Sequence, residues 1–275
     1  MSRIYAMSDI HGHYDLLRER VEQIKKIQTS RAEESTADKI LFLGDYIDEG
    51  PDGFQCLKLI RDLQNKFPGR VIVLKGNHEQ WLLNYLDAKE TWMGPDTEFK
   101  MLVSFLTKEQ LEQVGKYAAG GQSERVSLSE TEAENILNTY SYIRKCIKEN
   151  HGDLIGWLCE LPLYYETDRQ IFVHAGIDEE AEDTWMWGTS DDVFLNKFPA
   201  TTGKFYKDII AGHVGTATVS GDRDFHDVYY DGASHYYIDG TVHVSGHIPV
   251  LVFDEERGRY YSLQEDVTER LIHRS

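Results

Sequence analysis

Eight polar side chains of the kinds that bind metal ions or transfer protons follow short apolar runs in this 275-residue sequence. The candidates are Asp9, His11, Asp45, Asp48, Asn77, His78, His174 and His213. Carboxylate, imidazole and amide groups form a mixed oxygen and nitrogen donor set, which suits first-row metals such as manganese, iron, zinc or cobalt. The set has neither the thiolates of a structural zinc site nor the all-oxygen ligands of a calcium site. A carboxylate can also bridge two ions, and a pair of ions suits in-line displacement at phosphorus.

Each candidate also has an ordinary structural explanation when it is considered alone. Asp45 and Asp48 would fit a solvated turn, because aspartate often accepts hydrogen bonds from nearby backbone there. Asn77 is a favoured helix N-cap residue. His174 and His213 follow buried runs and would be hydrogen-bonded core histidines. The occurrence of all eight at predicted strand ends, beside glycines, favours one common site over separate explanations.

The elements that would position these residues follow from the spacing of apolar side chains. Residues 3–8, 40–43 and 71–74 are short apolar runs that predict buried strands, and helical spacing follows each of them, over 14–27, 52–67 and about 80–88. This strand–helix alternation predicts a parallel sheet with crossover helices. Ligands bind outside the carboxyl ends of the strands in such sheets, and the first six candidates lie there.

Helical spacing replaces strands from about residue 90 to 160, in segments near 97–118 and 130–160 that are separated by Gly120-Gly121. We interpret this region as a helical insertion covering one face of the site, within one domain of residues 1–275. Strands return at 163–166, 170–173 and 209–211, and the last two lead into His174 and His213. Short runs near 226–230, 235–239, 248–253 and 259–263 predict an antiparallel second half.

The charge balance argues against nucleic acid or an anionic membrane as a partner. The chain has 29 Lys and Arg against 47 Asp and Glu, a formal net charge of −18, which disfavours electrostatic attraction to polyanions. The sequence contains no apolar run of membrane-spanning length and does not begin with a basic-then-apolar leader. Its three cysteines lack CxxC spacing. We therefore expect a cytoplasmic protein with reduced thiols; the sequence does not indicate an oligomeric state.

Taken together, the motifs resemble in order those of calcineurin-like metallophosphoesterases. They are Asp9-Ile10-His11-Gly12, Gly44-Asp45-Tyr46-Ile47-Asp48, Gly76-Asn77-His78-Glu79, His174-Ala175-Gly176, Gly212-His213 and the later Tyr237-Ile238-Asp239-Gly240. The sequence is most similar to the phosphoprotein phosphatase branch, with its bacterial and phage serine/threonine protein phosphatases and diadenosine tetraphosphatases. The resemblance implies the fold of that family, an α/β (α+β) sandwich of central β-sheets flanked by helices.

The resemblance also implies a role for each candidate. The implied metal ligands are Asp9 and His11 on one ion, Asp45 bridging both ions, and Asn77, His174 and His213 on the second. The two ions, manganese or iron, or else zinc, would activate water for in-line attack on a phosphorylated substrate, either a phosphoprotein or a nucleotide. His78 would donate a proton to the leaving oxygen, and Asp48 would hold its imidazole.

The sequence departs from the family pattern where substrate phosphate is bound. The second motif of the family reads Gly-Asp-x-x-Asp-Arg-Gly, and Glu49 occupies the position of that arginine, a residue suited to bidentate phosphate binding. A second family arginine after a tryptophan is also missing, because Gly188-Thr189 follows Trp187. One hypothesis is a nucleotide or diester substrate of lower charge. Another is that Arg125 or Arg144 supplies the phosphate contact.

Two further interpretations remain open at this stage. The chain is either an enzyme or a metal-binding regulator that has lost catalysis, although Asp48 and His78 would have little use in a pure binding module. The aromatic stretch Trp185-Met186-Trp187 favours core packing over stacking on a nucleobase. The spacing of the later histidines shows no ligand pattern; these are His226, His235, His243 and His247.

Overall fold

The computed structural model describes residues 2–31, 37–90, 100–118 and 130–274, which build two mixed β-sheets with helices on their outer faces. The strands are β1 (Arg3–Met7), β2 (Lys39–Phe42), β3 (Val71–Val73), β4 (Tyr164–Glu166), β5 (Gln170–Val173), β6 (Asp208–Ala211), β7 (Tyr229–Tyr230), β8 (His235–Tyr237), β9 (Leu251–Asp254), β10 (Arg259–Leu263) and β11 (Glu269–Arg274). The helices are α1 (Tyr14–Arg31), α2 (Gly53–Lys66), α3 (Asn77–Leu86), α4 (Lys100–Val103), α5 (Lys108–Ala118), α6 (Glu130–Asn150), α7 (Gly152–Glu160), α8 (Trp185–Gly188), α9 (Asp191–Asn196), α10 (Thr216–Ser220) and α11 (Val242–Ser245), with a 3-10 helix at Glu179–Thr184.

The first sheet has the strand order β11-β10-β9-β1-β2-β3 and the second β4-β5-β6-β8-β7. Strands β1, β2 and β3 pair in parallel, and β5, β6 and β8 do the same in the second sheet. Antiparallel strands complete both sheets. The carboxyl ends of the parallel strands therefore provide one edge in each sheet where loops can carry ligands.

Alternation of side chains along the strands divides the apolar core into layers. In β1, Tyr5 and Met7 pack against the helices, whereas Ile4 and Ala6 point between the two sheets. In β5, Phe172 joins the layer between the sheets. Because successive side chains of a strand point to opposite faces, strands buried on both faces appear as continuous apolar runs. This explains why β1, β2 and β5 were recognisable from sequence.

Three features of the fold differ from the sequence prediction. The second half is not wholly antiparallel, because β8 pairs with β6 in parallel. A final strand, β11, pairs with β10 and was not predicted. Helix α3 begins at Asn77 and not near Gln80, since Gly76 is its N-cap residue. Asn77 is thus the first helical residue.

Of the helices in the predicted insertion, α4 packs on α2, α6 and α7 pack on α3, and α5 packs on α6. All four share the apolar core on the outer face of the first sheet. Gly120-Gly121 lies outside the described residues. No helix in the described ranges combines the length and the apolar character needed to cross a membrane.

The tryptophans at 185 and 187 have different environments. Trp185 is buried in the core on the outer face of the second sheet, where its ring contacts Tyr164 and Phe194. Trp187 is 81% exposed. The packing interpretation is therefore confirmed for Trp185 and is wrong for Trp187.

Candidate active site

All eight predicted residues lie in one connected cluster at the carboxyl ends of the parallel strands. The loops after β1, β2 and β3 bring in the residues from Asp9 to His78, and the loops after β5 and β6 bring in His174 and His213. The two sheets therefore each supply part of the site.

Asp45 is at the centre of this cluster. Its Oδ2 atom lies 3.8 Å from Nε2 of His11, 3.7 Å from Nε2 of His78 and 3.4 Å from Nε2 of His174. Two groups of ligand atoms, each within 4.8 Å of one another, share this carboxylate. One group is His11, Asp45 and His78, and the other is Asp45, His174 and His213. A shared carboxylate between two donor groups is the arrangement expected of a ligand that bridges two metal ions.

Asp9 and Asn77 complete the two groups. Asp9 Oδ1 lies 3.9 Å from Nε2 of His11, and both of its carboxylate oxygens accept from the backbone N–H of His213, at 3.2 and 3.1 Å. Asn77 Oδ1 lies 2.8 Å from Nε2 of His174. The other nitrogen of His174, Nδ1, lies 3.0 Å from the carbonyl oxygen of Leu43, which fixes the ring orientation.

His78 is oriented by Asp48 and not by a backbone carbonyl. Its Nδ1 lies 2.8 Å from Oδ2 of the buried Asp48, which leaves Nε2 facing the cluster. The ring of Trp81 lies 4.4 Å from the His78 ring, centroid to centroid. Burial lowers the pKa of His78, but the charge of Asp45 and the hydrogen bond to Asp48 outweigh burial and raise the pKa to about 9. Without metal ions, these contacts therefore favour the protonated form of His78.

The carboxylates of the cluster repel one another. Burial raises the pKa of Asp9 well above its usual value, and the charge of Asp239 adds to this effect. Burial also opposes ionisation of Asp45, but the charges of His174 and His78 prevail and hold the pKa of Asp45 below its usual value. Burial lowers the pKa of His213 to about 4, with the charge of His174 contributing. Because these buried groups set one another's pKa values, a bound cation would change which of them carry protons.

The donor set fits a pair of divalent cations. The cluster lines a cavity of about 450 Å³ to which four carboxylates contribute and, among the described residues, no lysine or arginine. The carboxylates are Asp9, Asp45, Glu49 and Asp239. Buried carboxylates are stable only when they are paired or bind metal. Metal ions would supply the compensating positive charge, and oxygen and imidazole donors are the ligands that manganese, iron and zinc accept.

Glu79 holds the backbone around Asp45 through hydrogen bonds, a role that its position in the sequence does not indicate. Its fully buried carboxylate accepts from the backbone N–H groups of Asp45 and Gly76, both at 2.9 Å, and of Tyr46 at 2.8 Å. One side chain thereby connects the loop after β2 to the start of α3. The orientation of Asp45 depends on this contact.

The backbone is in the left-handed region at six non-glycine residues of the site. The φ angles are 54° at Asp9, 44° at His11, 56° at Asp45, 76° at Asp48, 59° at Glu49 and 62° at His213. Such residues cost energy and are concentrated at functional sites. The neighbouring Gly44 has a φ of 107°, and a Cβ atom there would lie 2.6 Å from Cα of Gly76. The close approach of these two loops therefore requires glycine.

Glu49 and His243 occupy the part of the cavity where the sequence departs from the family pattern. Oε2 of Glu49 lies 2.6 Å from Nδ1 of His243, in a short contact whose angle is not that of a directed hydrogen bond. Arg144, one of the two hypothetical substitutes for the missing arginine, does not fill this position in the structure. Arg144 lies over the ring of Tyr85, 4.8 Å from its centroid, and Arg125 lies outside the described residues.

Three residues of the cavity region were therefore missed from sequence. Glu79 and Asp239 belong to two of the family-like motifs, but nothing in their spacing indicates that both carboxylates are buried near Asp45. His243 has no motif at all, and its partner Glu49 is far away in sequence. Tertiary contacts alone reveal these three.

A protein family, individual relatives and solved structures show similarity to this chain. A model of the calcineurin-like phosphoesterase family matches residues 2–274. The PP2A-like serine/threonine-protein phosphatase PPG1 of Candida albicans is 38% identical over 79 residues, 28% of this chain and 17% of that protein. The symmetrical bis(5'-nucleosyl)-tetraphosphatase of Legionella pneumophila is 33% identical over 92 residues, 34% of this chain and 29% of that protein. The matched segments thus span less than a third of these relatives.

Solved structures share the fold over nearly the whole chain. A cold-active protein-tyrosine phosphatase of Shewanella superposes with a TM-score of 0.59 at 16% identity, covering 98% of this chain and 80% of that one. A putative diadenosine tetraphosphatase gives a TM-score of 0.50 at 16% identity, covering 98% and 93%. At this level of identity the likeness shows the fold.

Proposed function

Because the chain belongs to the calcineurin-like phosphoesterase family, a family of hydrolytic enzymes, we propose that it hydrolyses phosphoesters with a dinuclear metal centre in the manner of serine/threonine protein phosphatases. The observation that carries this proposal is the position of Asp45, whose carboxylate is shared by two groups of metal donors. We assign Asp9 and His11 to one ion, Asp45 to both, and Asn77, His174 and His213 to the second.

The residues around the ions have separate tasks in this proposal. The bound ions would neutralise phosphate oxygens and lower the pKa of water. His78 presents Nε2 to the cavity, so in its protonated form it is placed to protonate the leaving oxygen. Asp48 holds the orientation of that ring and favours its protonated form. Glu79 holds the backbone of Asp45 in register with both groups.

A second candidate activity is hydrolysis of a nucleotide or a dinucleoside polyphosphate on the same scaffold. The observation that favours it is the charge of the cavity wall, where Glu49 replaces the expected arginine and where no lysine or arginine lines the described cavity. The phosphoryl group of a diester, or an internal phosphoryl group of a dinucleoside polyphosphate, carries one negative charge and meets less repulsion there than the dianionic group of a phosphomonoester. The relative from Legionella pneumophila, by its name a bis(5'-nucleosyl)-tetraphosphatase, agrees with this second candidate.

Hydrolysis of p-nitrophenyl phosphate and of its bis-ester, with added manganese, tests the proposal. We expect the wild type to hydrolyse at least one ester and Asp45→Asn to lose about 10²–10³-fold in kcat, the range for removal of one preorganised charge-stabilising group. Bound manganese should fall in the same variant. Asp183→Asn, which changes an exposed aspartate, is the matched control and should equal the wild type.

Two results would contradict the proposal. A wild type that hydrolyses neither ester but binds two manganese ions would favour a metal-binding regulator. Equal activity of Asp45→Asn and wild type would show that Asp45 is not a metal bridge. If the wild type is active, the ratio of monoester to diester hydrolysis separates the two candidate activities.

A further inference from the structure

The contact between Glu49 and His243 closes one side of the catalytic cavity. Both side chains line it together with His11, His78 and Asn77. Glu49 Oε2 is buried, and its close neighbour among the described residues is Nδ1 of His243 at 2.6 Å. The Glu49 carboxylate thus lies on the Nδ1 side of the His243 ring, and Nε2 is on the opposite side.

The segment that carries His243 is fixed to the same cluster. The carboxylate of Asp239 accepts from the backbone N–H of Thr241 at 2.7 Å, and the hydroxyl of Ser245 donates to the carbonyl oxygen of Gly240 at 2.7 Å. Asp239 is itself buried near Asp9, whose pKa it raises. The short helix α11 is therefore anchored to the metal-donor cluster, and His243 has a defined position relative to it.

One end of the His243 ring remains available to a ligand. Nδ1 faces Glu49, whereas Nε2 has no hydrogen-bond partner in the described part of the chain. The side chain is 48% exposed, so a molecule that enters the cavity can reach it. As an imidazolium the ring would donate Nε2–H to an anionic oxygen, in a charge-assisted hydrogen bond.

We propose that His243, positioned by Glu49, binds a phosphoryl oxygen of the substrate and takes the place of the missing arginine. This inference rests on the proposed phosphoester hydrolysis and identifies the residue that binds the substrate there. An imidazolium paired with the carboxylate would carry no net charge, whereas an arginine alone carries +1. Such a pair would favour a singly charged phosphoryl group, as in a phosphodiester or inside a dinucleoside polyphosphate, over a phosphomonoester dianion.

An ordinary explanation is a surface ion pair without function, since exposed pairs contribute about 0–1 kcal/mol to stability. Two observations argue against it. Oε2 of Glu49 is buried in the cavity wall and not at the surface. The segment of His243 is also anchored to the buried Asp239 through the backbone N–H of Thr241, so the pair has a fixed place in the cavity.

Binding of two inert probes to the manganese-loaded protein tests the inference without turnover. The probes are methyl phenylphosphonate, a monoanion, and phenylphosphonate, which becomes a dianion. We expect His243→Ala to weaken binding of the monoanion about tenfold, the loss expected from one charge-assisted hydrogen bond. His243→Gln, which keeps a donor, should recover part of the affinity. The control Val244→Ala changes the neighbouring exposed residue of α11 and should bind as the wild type does.

Glu49→Ala separates positioning from simple repulsion because the two roles predict opposite signs. If Glu49 acts through His243, its removal weakens binding of the monoanion, and the double variant binds no worse than His243→Ala. If Glu49 only repels anions, Glu49→Ala strengthens binding of both probes, and the inference is wrong. Hydrolysis should show the same change mainly in KM, with kcat changing less.

The outcomes also distinguish this inference from the proposed function. A protein that binds the monoanion through His243 but hydrolyses no ester would retain the inference and overturn the activity. A protein that hydrolyses esters with unchanged KM and probe affinity in His243→Ala would do the reverse. Failure of the wild type to bind either probe would overturn the inference, whereas the proposed hydrolysis is decided by the ester assay.

Discussion

Replacement of Glu79 tests whether one buried carboxylate holds the centre of the site together. Its oxygens accept three backbone hydrogen bonds, from Asp45, Tyr46 and Gly76, and the residue has no exposed surface. In Glu79→Ala all three N–H groups would lose their partner in a dry environment. We therefore expect this variant to be much less stable and to hydrolyse esters poorly, because the loop of Asp45 loses its support.

The magnitude follows from the number of donors. Each buried donor left unpaired costs about 1–3 kcal/mol, so three of them cost about 3–9 kcal/mol. Burial and the charge of Asp45 raise the pKa of Glu79, so its ionised form is itself disfavoured, and removal of that charge offsets part of the loss. We expect a net loss of about 3–5 kcal/mol in the free energy of unfolding. For a chain of this size the midpoint would fall by about 10 °C.

The assay is thermal unfolding followed by circular dichroism in the presence of EDTA, which separates stability from metal binding. Glu79→Gln keeps the shape but opposes one N–H with an amide donor, so its loss should be smaller, about 1–3 kcal/mol. Glu19→Ala, on the exposed face of α1, is the control and should stay within about 0.5 kcal/mol of the wild type. A midpoint for Glu79→Ala within 2–3 °C of the wild type, roughly 1 kcal/mol, would refute the reasoning.

Two further predictions concern the scaffold. Gly44→Ala should lower the free energy of unfolding by about 1–3 kcal/mol because of its φ of 107° and the close approach of Gly76. Gly156→Ala, in open space on α7, should raise the free energy of unfolding by about 0.5–1 kcal/mol. Chemical unfolding that ranks the two variants otherwise contradicts the close contact between the loops of Gly44 and Gly76. The pKa of His235 is raised because its contacts with Glu179 and Asp231 outweigh burial, so its stabilising effect is complete below about pH 6.5 and is lost as the pH rises through the raised value. The difference in stability between wild type and His235→Gln should therefore shrink from pH 6 to pH 9, and a constant difference would exclude the ion pairs as its cause.

The sequence predicted the convergence of the eight candidate residues better than it predicted the surrounding topology. The apolar runs before Asp9, Asp45 and Asn77 identify strand ends, and parallel strand ends meet at one edge, so convergence of these residues follows from local pattern. Pairing direction does not follow from such patterns. The run that forms β8 lies among short runs and turns that predict antiparallel strands, but α10 and β7 intervene after β6, and β6 and β8 pair in parallel.

The supporting residues could not be assigned because their partners are distant in sequence. Asp239 and His243 reach the site only when the second sheet packs on the first, and spacing along the chain carries no trace of that contact. The start of α3 was misjudged for a local reason. Gly76 and the polar residues after it suggest a loop, whereas the buried carboxylate of Glu79 allows the helix to begin directly at Asn77.

The left-handed backbone at six residues of the site affects which substitutions this sequence can accumulate in evolution. Glycine adopts that conformation without penalty, whereas other residues lose about 1–2 kcal/mol there. Glycine at Asp9, His11, Asp45, Asp48, Glu49 or His213 would therefore relieve local strain while it removed the functional side chain. A lineage released from selection for activity would lose these groups before it lost the core. The acids and imidazoles that remain at such unfavourable positions thus record selection for what the site does and not for the stability of the fold.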